Sequence, residues 1–339
     1  MGQVMGQAQR QAQVSAVAAS GLLPFLGSLR ADAESVMGPC GVEAGRLADG
    51  GSIALSAYVE VMERAARVSG HDDFGLRYGA QFPAESHGLV GDIALAAPSV
   101  GMALRQFVDL FPLHQEASEA RLVAEGGLLR LEYRILDWRI FARRQDAELS
   151  LAMFQNLLKR AYGEGFAPEE VHFEHPAPRD RAAHEQVFHA PVFFGQRTNA
   201  LVFCPGDLRR PMPTADARAF ARLTAEAFLR RLPRGRVPLQ ERVRAEIRSR
   251  LPEGAPPIDE VADALGLARW TLQRRLGETG LTYAGAVQEV RMRLAESYLR
   301  QPQLSISSIA QLLGYAELSP FSRACKRWFG ASPEQMRAG

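Results

Sequence analysis

Cysteine is scarce in this chain: three residues in 339, Cys40, Cys204 and Cys325, odd in number and far apart. That spacing excludes a disulfide framework and fits a reducing cytoplasm. Long apolar runs are missing as well. Stretches such as Leu89 to Ala97 fall well short of the ~18–20 residues that a membrane span needs, so no membrane partner is expected. The chain shows no G-x-G-x-x-G, no phosphate-binding loop and no G-x-S-x-G, the signals of nucleotide-cofactor and serine-hydrolase chemistry. No enzyme activity, cofactor or metal site is expected. Met1 to Ser20, rich in Gln and Ala with Arg10 as its single charge, reads as a flexible N-terminus over 1–19 rather than as a signal peptide.

What is present is a globular composition. Apolar residues make up 47%, enough to bury sizeable cores, and the length favours two domains. The net charge of +2 hides an asymmetry. Residues 232–339 hold 16 Lys and Arg against 11 Asp and Glu, and the rest of the chain holds 24 against 27. A basic C-terminal part suits nucleic acid, although a solvated surface gives the same modest excess. The clearest seam is Leu232-Pro233-Arg234-Gly235-Arg236-Val237-Pro238, where two prolines and a glycine break any helix. The expected division is therefore a domain over 20–231, a linker over 232–238, and a second domain over 239–337.

The first domain mixes element types. Ser52 to Ser69 and Val100 to Phe111 have helical apolar spacing. Ala120 to Ala124 and Leu128 to Leu136, parted by Glu125-Gly126-Gly127, read as a β-hairpin. Arg143 to Tyr162 reads as a long amphipathic helix. A strand near Val171, a helix from Arg181 to Phe188, and strands near Val192 and over Ala200 to Cys204 follow. This order predicts an α+β fold with helices against a mostly antiparallel sheet. His172 and His175 sit three apart near one strand and would face opposite ways. With His184 and His189 they read as capping, loop or surface residues. Asp146 and Glu148, two apart on a helix, do not face one site. Arg144 and Asp146 read as surface or interdomain contacts, and Cys204 as a small buried residue at a strand end.

The second domain is all helical. Ile258 to Leu265, closed by Gly266, and Arg269 to Glu278 form two short helices around a glycine turn, which is the helix-turn-helix pattern. The face opposite Leu272 and Leu276 carries Arg269, Trp270, Gln273 and Arg274. Alone, such a face reads as solvated. The pattern recurs, however: Ser305 caps Ile306 to Leu313, Gly314 turns the chain, and Pro320 to Phe329 follows. With Phe321, Cys325 and Phe329 inward, Ser319, Ser322, Arg323 and Lys326 are left outside. Between the units, Ala284 to Arg300 is one rod of roughly 25 Å, whose Arg291, Arg293 and Arg300 read as solvated.

Thr271-Leu272-Gln273-Arg274-Arg275-Leu276, Arg291-Met292-Arg293-Leu294-Ala295, Ile306-x-x-Ile309-Ala310-x-x-Leu313-Gly314-Tyr315 and Phe321-Ser322-Arg323-x-x-Lys326-Arg327-Trp328-Phe329-Gly330-x-x-Pro333 resemble the signature of the AraC/XylS transcription regulators. The resemblance implies a monomeric double helix-turn-helix DNA-binding domain with both recognition helices in successive major grooves. By position, Trp270, Gln273 and Arg274, then Ser319, Ser322 and Arg323, would contact DNA, and Arg269 and Lys326 on the same outer faces join them as candidate contacts. Two positions depart from the pattern: Cys325 stands where phenylalanine is common, and Ala268 where a serine caps the first recognition helix. Upstream, Phe74-Gly75-Leu76-Arg77-Tyr78-Gly79, Arg144-Gln145-Asp146-Ala147-Glu148, Val171-His172-Phe173-x-His175-Pro176-Ala177-Pro178 and Asn199-Ala200-Leu201-Val202-Phe203 resemble the sensor domain of the ornithine-utilisation subgroup, not the jelly-roll pocket of the arabinose regulator. What this implies is a cytoplasmic regulator, an activator, that binds operator DNA at two half-contacts about one turn apart. Its further partners would be RNA polymerase, an effector such as an amino acid or related metabolite, and a second copy of itself. The alternative is a constitutive regulator whose first domain only dimerises.

Overall fold

In the computed structural model, residues 11–45, 51–231 and 237–338 are described. They build two hydrophobic cores, one drawn from residues between Val14 and Ala227 and the other from residues between Val243 and Cys325. Most of the expected linker over 232–238 lies outside the described residues.

The first core is built on a five-stranded sheet. Strands β1 (Gln13–Ser15) and β2 (Ser52–Ala54) form a separate antiparallel pair. Strands β3 (Ser118–Glu125), β4 (Leu128–Ile135), β5 (Glu170–Phe173), β6 (Val192–Phe194) and β7 (Asn199–Phe203) run in the order β3-β4-β7-β5-β6. Every neighbouring pair is antiparallel except β5 with β6. The expected hairpin is present, with Ala124 opposite Leu129 and Glu125 opposite Leu128. The helices are α1 (Leu22–Ser28), α2 (Ala33–Met37), α3 (Leu55–Ser69), α4 (Phe74–Ala80), α5 (Leu89–Ala96), α6 (Val100–His114), α7 (Arg144–Tyr162), α8 (Ala182–Phe188) and α9 (Ala217–Arg231). The result is the expected α+β fold.

Alternation along β4 explains how sheet and helices meet. Leu129, Leu131, Tyr133 and Ile135 are buried under the helices, whereas Arg130, Glu132 and Arg134 face the other way. The helix α7 is buried nearly all round. The motif Phe74-Gly75-Leu76-Arg77-Tyr78-Gly79 lets α4 press against it. A Cβ at Gly75 would sit 2.0 Å from the Gln145 carbonyl oxygen, and one at Gly79 would sit 2.5 Å from that of Leu149. Only glycine permits this approach.

Three expectations are corrected here. Residues 11–19 are not a loose tail: Val14 pairs in β1, and Val14, Ala16, Ala18 and Ala19 are buried, while 1–10 lie outside the described residues. Residues 52–54 are strand rather than helix, because Val14 offers Ile53 a ladder partner. Cys204 follows β7 and is exposed.

The second core is all helical: α10 (Leu239–Arg250), α11 (Ile258–Ala264), α12 (Arg269–Gly277), α13 (Tyr283–Leu299), α14 (Ile306–Leu312), α15 (Leu318–Phe329) and α16 (Pro333–Ala338). Thr282 caps α13 through Gly285 N–H at 3.0 Å, and Ser305 caps α14 through Ser308 N–H at 3.0 Å. Ala268 offers α12 no side-chain cap, as its side chain dictates. No helix among the described residues is long and apolar enough to cross a membrane.

Candidate nucleic-acid interface

Each helix pair is held by residues with helical spacing. Leu272 and Leu276 of α12, and Phe321 and Cys325 of α15, are almost fully buried against α13 and its neighbours. That orientation turns the opposite faces outward. Arg269, Trp270, Gln273 and Arg274 are exposed on α12, and Ser319, Arg323 and Lys326 on α15, with Ser322 half-buried beside them. Trp270 stands 65% exposed, a large aromatic left uncovered by this chain. Arg274 holds its guanidinium 5.7 Å from the Trp270 ring and donates to Glu278 at 2.5 Å, and Arg269 donates to Asp259 at 3.0 Å. Exposed pairs of this kind contribute only about 0–1 kcal/mol, so both arginines can exchange these partners for phosphate or base acceptors. Lys326 lies in the last turn of α15, where a cation favours the helix dipole.

Arg291 is a correction. Rather than standing in solvent, it is 8% exposed. It donates through Nε to the Leu313 carbonyl and through Nη2 to that of Gly314, both at 2.9 Å, and lies 4.3 Å from the Tyr315 ring. It therefore ties the rod α13 to the turn of the second unit. Gly314 itself has φ +71°, and a Cβ there would meet the Leu251 carbonyl oxygen at 2.4 Å. The turn admits glycine for both reasons.

The charged face of β4 is covered in part by the second core. Arg134 is 7% exposed because Glu246 of α10 covers it and forms an ion pair with it. Glu246 is shared with Arg250, and Arg197 pairs with Glu253 further along. Trp138 lies 4.3 Å from the Arg244 guanidinium, and Phe141 packs on the second core. The segment between β4 and α7 is thus a wedge between the two cores. Sequence reading passed over it, since an apolar residue in a loop gives no period to recognise.

Beside the wedge opens a cleft of about 930 Å3, lined from the first core by Glu63, Arg143, Arg144 and Glu174 and from the second by Arg248, Arg293, Glu296 and Tyr298. Arg143 donates to both carboxylate oxygens of Glu174, at 2.6 and 3.0 Å. Burial alone would raise the Glu174 carboxyl, but Arg143 and Arg248 hold it down at about 2. Asp146 and Glu148, expected to be unrelated, do diverge, yet both are buried. Tyr133 donates to Asp146 at 2.5 Å, and burial pushes that carboxyl up to about 6. His184 Nε2 lies 2.9 Å from Glu148 and His175 Nε2 lies 3.5 Å away, so two of the four histidines converge inside the core.

Residues 31–212 match the profile of the arabinose-binding N-terminal domain of AraC transcription regulators, and residues 261–339 match a helix-turn-helix domain profile. The HTH-type transcriptional regulator VirS of Mycobacterium tuberculosis is 29% identical over 84% of this chain and 84% of its own. The ornithine utilization regulator of Pseudomonas aeruginosa is 28% identical over 85% of each, and the HTH-type transcriptional regulator VqsM of the same organism is 25% identical over 78% of this chain and 83% of its own. These relatives are transcriptional regulators and not enzymes. With one profile covering more than half of the chain and the other covering both helix-turn-helix units, this protein belongs to the AraC family of DNA-binding transcription regulators.

Proposed function

We propose that this protein is a cytoplasmic, metabolite-responsive activator. Residues 20–231 sense a small polar molecule and mediate self-association, 232–238 act as the linker, and 239–337 read an operator and present the bound complex to RNA polymerase. The observation that carries the DNA half of this reading is the pairing of two outward helices, α12 and α15, across one 17-residue rod. Arg269, Trp270, Gln273 and Arg274 supply the first reading face, and Ser319, Ser322, Arg323 and Lys326 the second.

A rod of that length does not let the two readers move independently. Their half-contacts then lie about one turn, roughly 10 bp, apart on one side of the duplex. The test is to select binding sites from random duplexes with the full chain, then compare the best site with a copy expanded by about 5 bp, half a turn, between the half-contacts. Restoring both contacts by bending would cost several kcal/mol, so affinity should drop toward the level of phosphate contacts alone. Equal affinity for the two duplexes would mean that one unit reads DNA and the other only packs. The sensing half is tested separately, by promoter output with and without residues 1–235. Identical output, with no dependence on added metabolite, would leave the first domain as a dimerising module.

A further inference from the structure

The cleft between the two cores carries an unbalanced charge at its floor. Helix α7 starts there, and its N-cap is Arg143, with no side-chain cap hydrogen bond. A cation at the positive end of a 19-residue helix runs against the usual preference for an acid or hydroxyl. Arg248 of α10 comes in from the other side, and its side chain is 12% exposed. Its contacts are all long: the Ile140 carbonyl at 3.4 Å, the Phe141 carbonyl at 3.5 Å and Glu174 at 3.5 Å. Glu174 is already committed to Arg143 through both oxygens. Two guanidiniums therefore share one carboxylate, while the α7 N-terminus itself has Glu63 on the Gln145 N–H and Asp146 in its first turn. Burial, and then Arg143, lower the Arg248 pKa to about 10, as expected for a buried cation short of counter-charge.

The other acids of the cleft do not relieve this. Glu60 pairs with Arg67, Asp72 with Arg144, and Glu296 with Arg300. Glu63 accepts the Gln145 N–H at 2.9 Å, and burial pushes its carboxyl up to about 7, so much of it is neutral at physiological pH. A cation where an acid or hydroxyl is preferred, facing a second cation whose contacts are all long across a roomy cleft, is the arrangement that an anionic ligand completes.

We infer that this cleft is the effector site, and that it takes a small carboxylate-bearing metabolite whose carboxylate lies between Arg248 and the Arg143 end of α7. The inference rests on the sensing half of the proposed function and gives it a place and a ligand chemistry. Arg143, Glu174 and α7 belong to the first core and Arg248 to the second, so a carboxylate held by both stabilises the docked arrangement over any separated one. Coupling between effector and DNA follows from that difference.

The test uses the full chain at fixed ionic strength, with thermal shift and calorimetry against two matched pairs: succinate with succinamide, and 4-aminobutyrate with 4-aminobutyramide. At least one carboxylate should raise Tm in a concentration-dependent way while its amide does not. Arg248→Gln should weaken that carboxylate about tenfold or more, since a charge-assisted hydrogen bond is lost. Arg248→Lys, which keeps the charge and loses the planar fork, should fall between. Ser297→Phe narrows the cleft from α13 without touching the charges and should also weaken binding, which guards against a fold defect in the arginine variants. No carboxylate-dependent shift, or carboxylate binding indifferent to Arg248 and Ser297 variants, overturns the site. Promoter output that still answers a metabolite in Arg248→Gln would show sensing at another place, so the site can fail while the sensing reading stands.

Discussion

At the scale of single residues, the two arginines on the reading faces are expected to act differently from the lysine beside them. Arg274 and Arg323 are exposed on the outer faces of α12 and α15, and under the proposed function each guanidinium bridges guanine O6 and N7. Changing either to Ala should cost about 1–3 kcal/mol on the selected site and relax preference at one base position. Lys326→Ala should weaken all sequences alike and make the salt dependence shallower. Binding titrations on selected and random duplexes separate the two; equal losses on both from the arginine variants would reassign them to the backbone. Inside the first core, Asp146 makes a pH prediction. Its folded-state pKa is raised to about 6 by burial, so its contribution is fully present below its unfolded value and lost as pH rises through 6. Asp146→Asn keeps an acceptor for the Tyr133 hydroxyl and cannot ionise. Relative to the parent it should gain up to ~3 kcal/mol between about pH 4 and 8, because each tenfold change in proton affinity on folding corresponds to about 1.4 kcal/mol. Urea unfolding at the two pH values checks this, and a difference constant with pH would refute it. Glu148 and Glu174, both held at about 2, work the opposite way: their stabilisation is present above their unfolded value and is lost in acid.

At the scale of elements, the helix pairs follow from caps, glycines and periodic apolar residues, which lie close together in the chain. The role of Arg291 does not. On α13 it falls at a position that reads as solvated, and only the return of the chain after α14 brings the Leu313 and Gly314 carbonyls to it. Arg291→Ala should strand two carbonyls at the turn and cost about 2–3 kcal/mol, at the upper end for bonds to a charged donor. It should also loosen α15 more than α12. Hydrogen exchange of the two helices checks this: greater protection loss in α12 would contradict the tie. The pattern of β4 gives a similar lesson. The hairpin itself was readable, but Arg134 on the charged side of the strand is buried, because α10 lies over it.

At the scale of the whole molecule, Arg134 and Glu246 couple the two cores. Glu246→Ala leaves the buried Arg134 with Glu119 as its remaining acid partner, at 2.7 Å, so the cost should fall below the ~3–5 kcal/mol of a buried charge left with no partner. The double variant Arg134→Met/Glu246→Leu should recover much of that loss, since neither charge then remains. Urea unfolding of the full chain and its variants measures the coupling; additive losses would mean that the pair contributes nothing beyond its members. The sequence alone determined the two helix-turn-helix units, their outward faces, the β-hairpin, the amphipathic helices and the family, because each depends on residues close to one another along the chain. Tertiary structure alone decided that residues 13–15 pair with 52–54, that His175 and His184 meet Glu148, and that Arg143, Glu174 and Arg248 share one cleft. Those contacts join residues tens of positions apart, where a charged side chain reads as solvated until another element removes its water.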